Sequence, residues 1–211
     1  MLGRYAGIVA AACAAGAAVL LVRGLSAQEQ GKEKPLRVAP DVDLERYTGK
    51  WFEIARLPNE FQDECASDVS AVYALRSDGR IDVTNRCLEP DGSVKEAKGV
   101  ARRVDGQPPS ILEVRFAPGW LSFLPNVWGD YQIIQLDPEY RHVLVGSPDR
   151  KYLWILARTP QLDESVYQSL LDAANAQGFD TSTMMRTKHT EKGDCPLFSV
   201  GPASGPVESM T

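Results

Sequence analysis

Between Trp51 and Arg158 the chain breaks into eight short β-rich runs divided by turn chemistry at roughly ten-residue spacing, and few folds accept that rhythm. The runs are Trp51 to Arg56, Val69 to Arg76, Arg80 to Cys87, Val94 to Val104, Ile111 to Ala117, Tyr131 to Asp137, His142 to Gly146 and Tyr152 to Arg158. Asp78-Gly79 reads as a tight hairpin turn, Asp91-Gly92 ends a longer loop, and Asp105-Gly106 with Pro108-Pro109 interrupts the chain again. Consecutive runs are close enough to pair antiparallel, so the pattern specifies an all-β protein: an eight-stranded up-and-down barrel or a sandwich.

Period-two alternation sorts the side chains. Leu112, Val114 and Phe116 share one face while Glu113 and Arg115 take the other, and Ile81 and Val83 oppose Asp82 and Thr84. An apolar inner face suits a filled core or a cavity, and eight strands close around room for one small ligand. The wall candidates for such a ligand are Tyr73, Val83, Leu112, Val114, Phe116, Tyr131 and Trp154. Three of them, Tyr73, Tyr131 and Trp154, bring a hydroxyl or indole N–H that can meet a polar head.

Gly49-Lys50-Trp51 opens the first run and Trp154 to Arg158 closes the last. Trp51 is too large to leave wet, and the planar Arg158 cation can stack on an indole while donating to carbonyls. Gly49, Trp51 and Arg158 are therefore expected to seal one barrel end.

Residues 1–27 read as a signal peptide or N-terminal membrane anchor: Arg4 precedes an apolar run from Tyr5 to Val22, and Leu25-Ser26-Ala27 offers a cleavage site. Lipidation at Cys13 is disfavoured, because Ala10-Ala11-Ala12 lacks the usual lipobox leucine. The expected localisation is thus the periplasm or cell envelope. Residues 28–42 read as a linker, 43–190 as the folded domain and 191–211 as a Gly-, Pro- and Ser-rich tail. Net charge is −5 with scattered Lys and Arg, which gives no footprint for nucleic acid.

Export would place Cys65, Cys87 and Cys195 where disulfides persist. Cys65–Cys87 is the preferred pair; folding about Asp78-Gly79 puts Cys87 opposite Ser70, so Cys65 must curl back to reach it. Cys65–Cys195 is the alternative. No zinc-ligand spacing joins His142 or His189 to a cysteine, and no cofactor is expected. After Arg158, Asp163 is a good N-cap for a helix carrying Val166, Leu170, Leu171 and Ala174, stopped by Gly178 and packed outside the sheet. Thr181 to Lys188 offers a short strand beside the first.

The segment from Pro118 to Trp128 is apolar where a loop should be polar. Trp120, Leu121, Phe123, Leu124 and Trp128 are candidates for a lid, a bilayer contact or a homodimer contact.

Taken together, Gly49-Lys50-Trp51, Gly129-Asp130-Tyr131 and Arg158 resemble the three signature regions of the lipocalins, nearest the bacterial group related to apolipoprotein D and the plant temperature-induced lipocalins. The resemblance runs from about Asp43 to Lys188. It implies a calyx holding a fatty acid, lysophospholipid or similar amphipathic lipid, and for the bacterial group a role in the envelope. It also implies which end is open: the Leu57 to Asp68 segment and the loops at Leu88 to Ser93, Ala117 to Asp130 and Ser147 to Arg150 would rim the mouth. Asp194-Cys195-Pro196 resembles the end of apolipoprotein D, which keeps the Cys65–Cys195 bridge in play.

The resemblance implies a binding protein and not an enzyme. One competing reading is a calyx enzyme using an unpaired Cys87 against a lipid electrophile, for which no partner base is visible. Another is a filled barrel that acts through partners at the apolar loop.

Overall fold

Eight strands run up and down in chain order: β1 (Gly49–Arg56), β2 (Ser67–Leu75), β3 (Ile81–Leu88), β4 (Val94–Arg103), β5 (Ile111–Arg115), β6 (Gly129–Leu136), β7 (His142–Gly146) and β8 (Leu153–Ala157). Each pairs antiparallel with the next, and β1 pairs with both β2 and β8, so the sheet closes into a barrel and not a sandwich. The computed structural model describes residues 34–117 and 127–190. The expected export segment, Cys13, Cys195, the tail 191–211 and the loop residues Trp120, Leu121, Phe123 and Leu124 lie outside the described residues.

The β2–β3 turn departs from the sequence expectation. The Arg76 amide donates to the Arg80 carbonyl at 2.8 Å, with Gly79 at φ 80°, so three residues lie inside the turn. That shifts the register by one and sets Ser70 opposite Arg86, not Cys87. A further irregularity between Ser67 and Ser70, where Asp68 takes φ 56°, lets the chain curl back, and Cys65 bonds Cys87 across a Cα–Cα distance of 5.6 Å.

Alternation along the strands produces two apolar layers. Inside the barrel lie Tyr47, Trp51, Tyr73, Ile81, Val83, Leu112, Ile133, Val143 and Val145. Outside, Ile54, Leu144, Leu153 and Ile155 meet Tyr167, Leu170 and Ala174 of α2 (Glu164–Asn175). Those three helix positions lie on one stripe of a 3.6-residue period, and burying a side chain such as Leu170 contributes about 1.5–3 kcal/mol. Asp163 occupies the N-cap position but its side chain makes no capping bond. Gly178, at φ 89°, ends the helix turn and lets the Phe179 amide return to the Ala174 carbonyl.

β9 (Met185–Arg186) lies antiparallel to the second half of β1, where β2 has parted from it. The segment is pinned by Asp68, which accepts from the Thr190 amide and hydroxyl at 2.7 and 2.8 Å, and the Asp68 amide donates to the Lys188 carbonyl.

Candidate ligand site inside the barrel

The closed end is built by α1 (Leu44–Tyr47), whose N-cap Asp43 accepts from the Glu45 and Arg46 amides. This turn drops Tyr47 into the barrel beside Trp51, with ring centroids 5.1 Å apart, and the fully buried Trp51 donates its indole N–H to the Tyr47 carbonyl at 2.9 Å. Arg158 lies over the Trp51 ring, 3.8 Å from its centre. Gly49 has φ 94°, and a Cβ there would sit 3.3 Å from the Arg158 Nη1, so both conformation and space call for glycine.

Above the floor three phenols share hydrogen bonds: Tyr47 to Tyr131 at 2.7 Å and Tyr73 to Tyr131 at 3.1 Å. Burial raises all three above the ordinary phenol value, Tyr47 and Tyr131 well above it and Tyr73 to about 12. They stay neutral and polar within an apolar wall. Three O–H donors serve two hydrogen bonds, so the chain of phenols holds one donor in reserve.

The remaining wall candidates divide by height. Val83 and Leu112 are almost fully buried, while Val114, Tyr131 and Trp154 are half-buried and pack against the interior cluster. Phe116, 43 % exposed, lies just past the end of β5. A Cβ on Gly99 would come within 2.8 Å of the Phe116 ring. Since Gly99 stands opposite Val83, that ring covers an inward-facing glycine.

At the mouth end Trp154 does not offer its indole N–H to the lumen; it donates to Gln62 Oε1 at 3.0 Å. Gln62 belongs to a 3-10 turn (Glu60–Gln62) in the long β1–β2 connection. The rings of Phe61, Tyr152 and Trp154 form a ladder from the exposed rim inward, with centroid spacings of 5.4 and 5.9 Å. Sequence reasoning missed Glu53, Arg56 and Gln62, all of which meet here.

Trp128, the one described residue among the apolar loop candidates, packs on the outer wall. Its ring lies 3.9 Å from the Arg102 guanidinium and 4.9 Å from that of Arg115. Val114 faces Ala101 on the inner surface, so the adjacent Arg115 and Arg102 face outward.

The enzymatic alternative fails on its nucleophile. Cys87 is 3 % exposed and bonded to Cys65, leaving no thiol there to ionise. His142 stands opposite Ala157 beside the closed end, and His189 uses Nε2 on the Glu53 carbonyl.

A family model described as lipocalin-like domain matches residues 42–189. The chain is 40 % identical over 146 residues to the outer membrane lipoprotein Blc of Escherichia coli K12, covering 69 % of this chain and 78 % of that protein. It is 37 % identical over 162 residues to temperature-induced lipocalin-1 of Arabidopsis thaliana, covering 76 % and 86 %. Among solved structures, insecticyanin from the tobacco hornworm Manduca sexta superposes with a TM-score of 0.60 at 19 % identity, over 77 % of this chain and 89 % of that one, a likeness of fold alone.

Proposed function

The chain belongs to the lipocalin family, and from that premise we propose that it is a non-enzymatic carrier of fatty acids or lysophospholipids, working in the bacterial cell envelope. The observation that carries the reading is an apolar inner wall of Leu112, Val83 and Val114, with the exposed Phe116 ring over Gly99 beyond it, above a floor sealed by Trp51 and Arg158. A lipid tail against such a wall gains about 25 cal/mol per Å² of apolar surface removed from water, so affinity is spread over many contacts. Lipocalins are in general binding proteins, and the loss of the Cys87 thiol to a bridge fits that pattern here.

The envelope assignment rests on residues 1–27 as an export signal and on likeness to a protein named as an outer membrane lipoprotein. Residues 43–190 are the binding domain in this reading, and the apolar segment around Trp120 to Leu124 is its contact with a bilayer or a second copy.

Native mass spectrometry of the protein purified from a lipid-rich host, with organic extraction and challenge by each lipid, tests the proposal. One lipid per barrel, saturable and lost in Phe116→Arg, is the expected result. A protein that carries nothing and ignores both lipids overturns it.

A further inference from the structure

Strict alternation would set Glu53 and Arg56 on opposite faces of β1. An irregularity between Glu53 and Ala55 turns both inward: Glu53 stands opposite Leu156 and Arg56 opposite Trp154, and both partners belong to the barrel interior. Glu53 is 2 % exposed and Arg56 7 %. The Glu53 carboxylate accepts from Arg56 Nη1 at 2.9 Å, Gln62 Nε2 at 2.6 Å and Thr187 Oγ1 at 2.5 Å. Gln62 Oε1 in turn accepts from Trp154 Nε1 and from Asn59 Nδ2 at 3.1 Å. An indole can only donate and a carboxylate only accept, which fixes the orientation of both amides.

Two groups of this buried cluster are unspent. Among the described residues neither Arg56 Nε, a donor, nor Asn59 Oδ1, an acceptor, has a hydrogen-bond partner. Native interiors rarely leave such groups unpaired. The cluster also carries no net charge, because the Glu53 carboxylate already neutralises Arg56. A second acid, Asp68, lies 3.9 Å from Nδ1 of the His189 that bonds to the Glu53 carbonyl.

We propose that this cluster is the head-group site of the carried lipid, and that it takes a head of no net charge offering an acceptor to Arg56 and a donor to Asn59. An ester carbonyl with a free hydroxyl, as in a monoacylglycerol, meets both needs. A free carboxylate satisfies Arg56 Nε but adds an uncompensated negative charge to a neutral, dry pair, and the attraction of the guanidinium is already spent on Glu53. The inference rests on the carrier reading and narrows it by head-group charge, at a site distinct from the phenols near the floor.

The test is calorimetric titration of the full chain at neutral pH with monooleoylglycerol and with oleate, which share a tail and differ in head charge. Monooleoylglycerol is expected to bind about tenfold or more tightly. In Glu53→Gln the cluster becomes cationic, and the ratio is expected to move about tenfold toward oleate. Oleate binding as well as or better than monooleoylglycerol in the unaltered protein overturns the neutral-head site while leaving the carrier reading intact, as does a folded Glu53→Gln whose ratio does not move. Binding of neither lipid overturns the head-group site, and the carrier reading falls with it when a lysophospholipid is ignored as well. The wild-type comparison decides the question if the variant fails to fold.

Discussion

Arg158 stacks on Trp51 at 3.8 Å and simultaneously donates to the backbone carbonyls of Arg46, Tyr47, Lys50 and Tyr140 at 2.9 to 3.3 Å. One side chain therefore ties α1, the start of β1 and the β6–β7 turn to the end of β8. Arg158→Lys keeps the charge but loses the planar face and most of the donors, and is expected to cost about 2–3 kcal/mol in urea unfolding. Trp51→Ala, which empties the floor, should cost about 3–5 kcal/mol. A lysine variant as stable as the parent would mean the stack is incidental.

The bridge between Cys65 and Cys87 closes a sequence separation of 22 residues. Chain-entropy arguments put its contribution at about 3 kcal/mol. Replacing both cysteines by serine should lower the unfolding midpoint by that equivalent, and added reductant should lower the parent to match while leaving the variant unchanged.

Asp137 accepts from both Arg141 Nε and Nη2, at 2.9 and 3.0 Å, and also from the Arg141 and Glu139 amides. The Arg141 guanidinium holds its carboxyl down at about 2, against an ordinary 3.8. A value depressed in the folded state means that the stabilisation is complete above the unfolded value and disappears as pH falls from about 4 toward about 2. Asp137→Asn should lose about 1–2 kcal/mol at neutral pH, discounted for the exposed Arg141, and its stability should converge with that of the parent near pH 2. Denaturant titrations at stepped pH report the difference directly.

Alkaline titration followed by phenolate absorbance should show the protein holding back three phenols, Tyr47, Tyr73 and Tyr131, until pH about 12 or until it unfolds. Tyr131→Phe removes the middle of the chain and strands two buried hydroxyls, so it should cost about 2–3 kcal/mol, more than Tyr73→Phe. Equal costs would mean the hydroxyls are not linked.

Periodicity alone placed Val83, Leu112 and Val114 on the inner face, because a strand without irregularities keeps its parity. It failed where parity breaks. The irregularity between Glu53 and Ala55 hides an ion pair that a reader of alternating residues would divide between core and solvent. The three-residue turn around Asp78 moved the β2–β3 register by one, since a dipeptide such as Asp78-Gly79 does not reveal how many residues the loop holds. Gln62 carried no signal at all: it reaches the interior only because the β1–β2 connection folds over the mouth, a long-range event that no local pattern records. Trp128 was grouped with its apolar neighbours by composition, yet its ring packs against two arginines on the outer wall.

The second half of β1 has β9 as its neighbour, so the gap left where β2 parts from β1 is sealed by residues 185–190. During synthesis those residues leave the ribosome after every strand they join. The ring of β1 to β8 precedes them in the chain and closes through the β1–β8 pairing, so what waits for them is only the place where β2 parts from β1. That stretch of wall, beside β1, is therefore the last part of the domain to gain its neighbour, and the order of the chain makes it a finishing step laid on a barrel that has already closed.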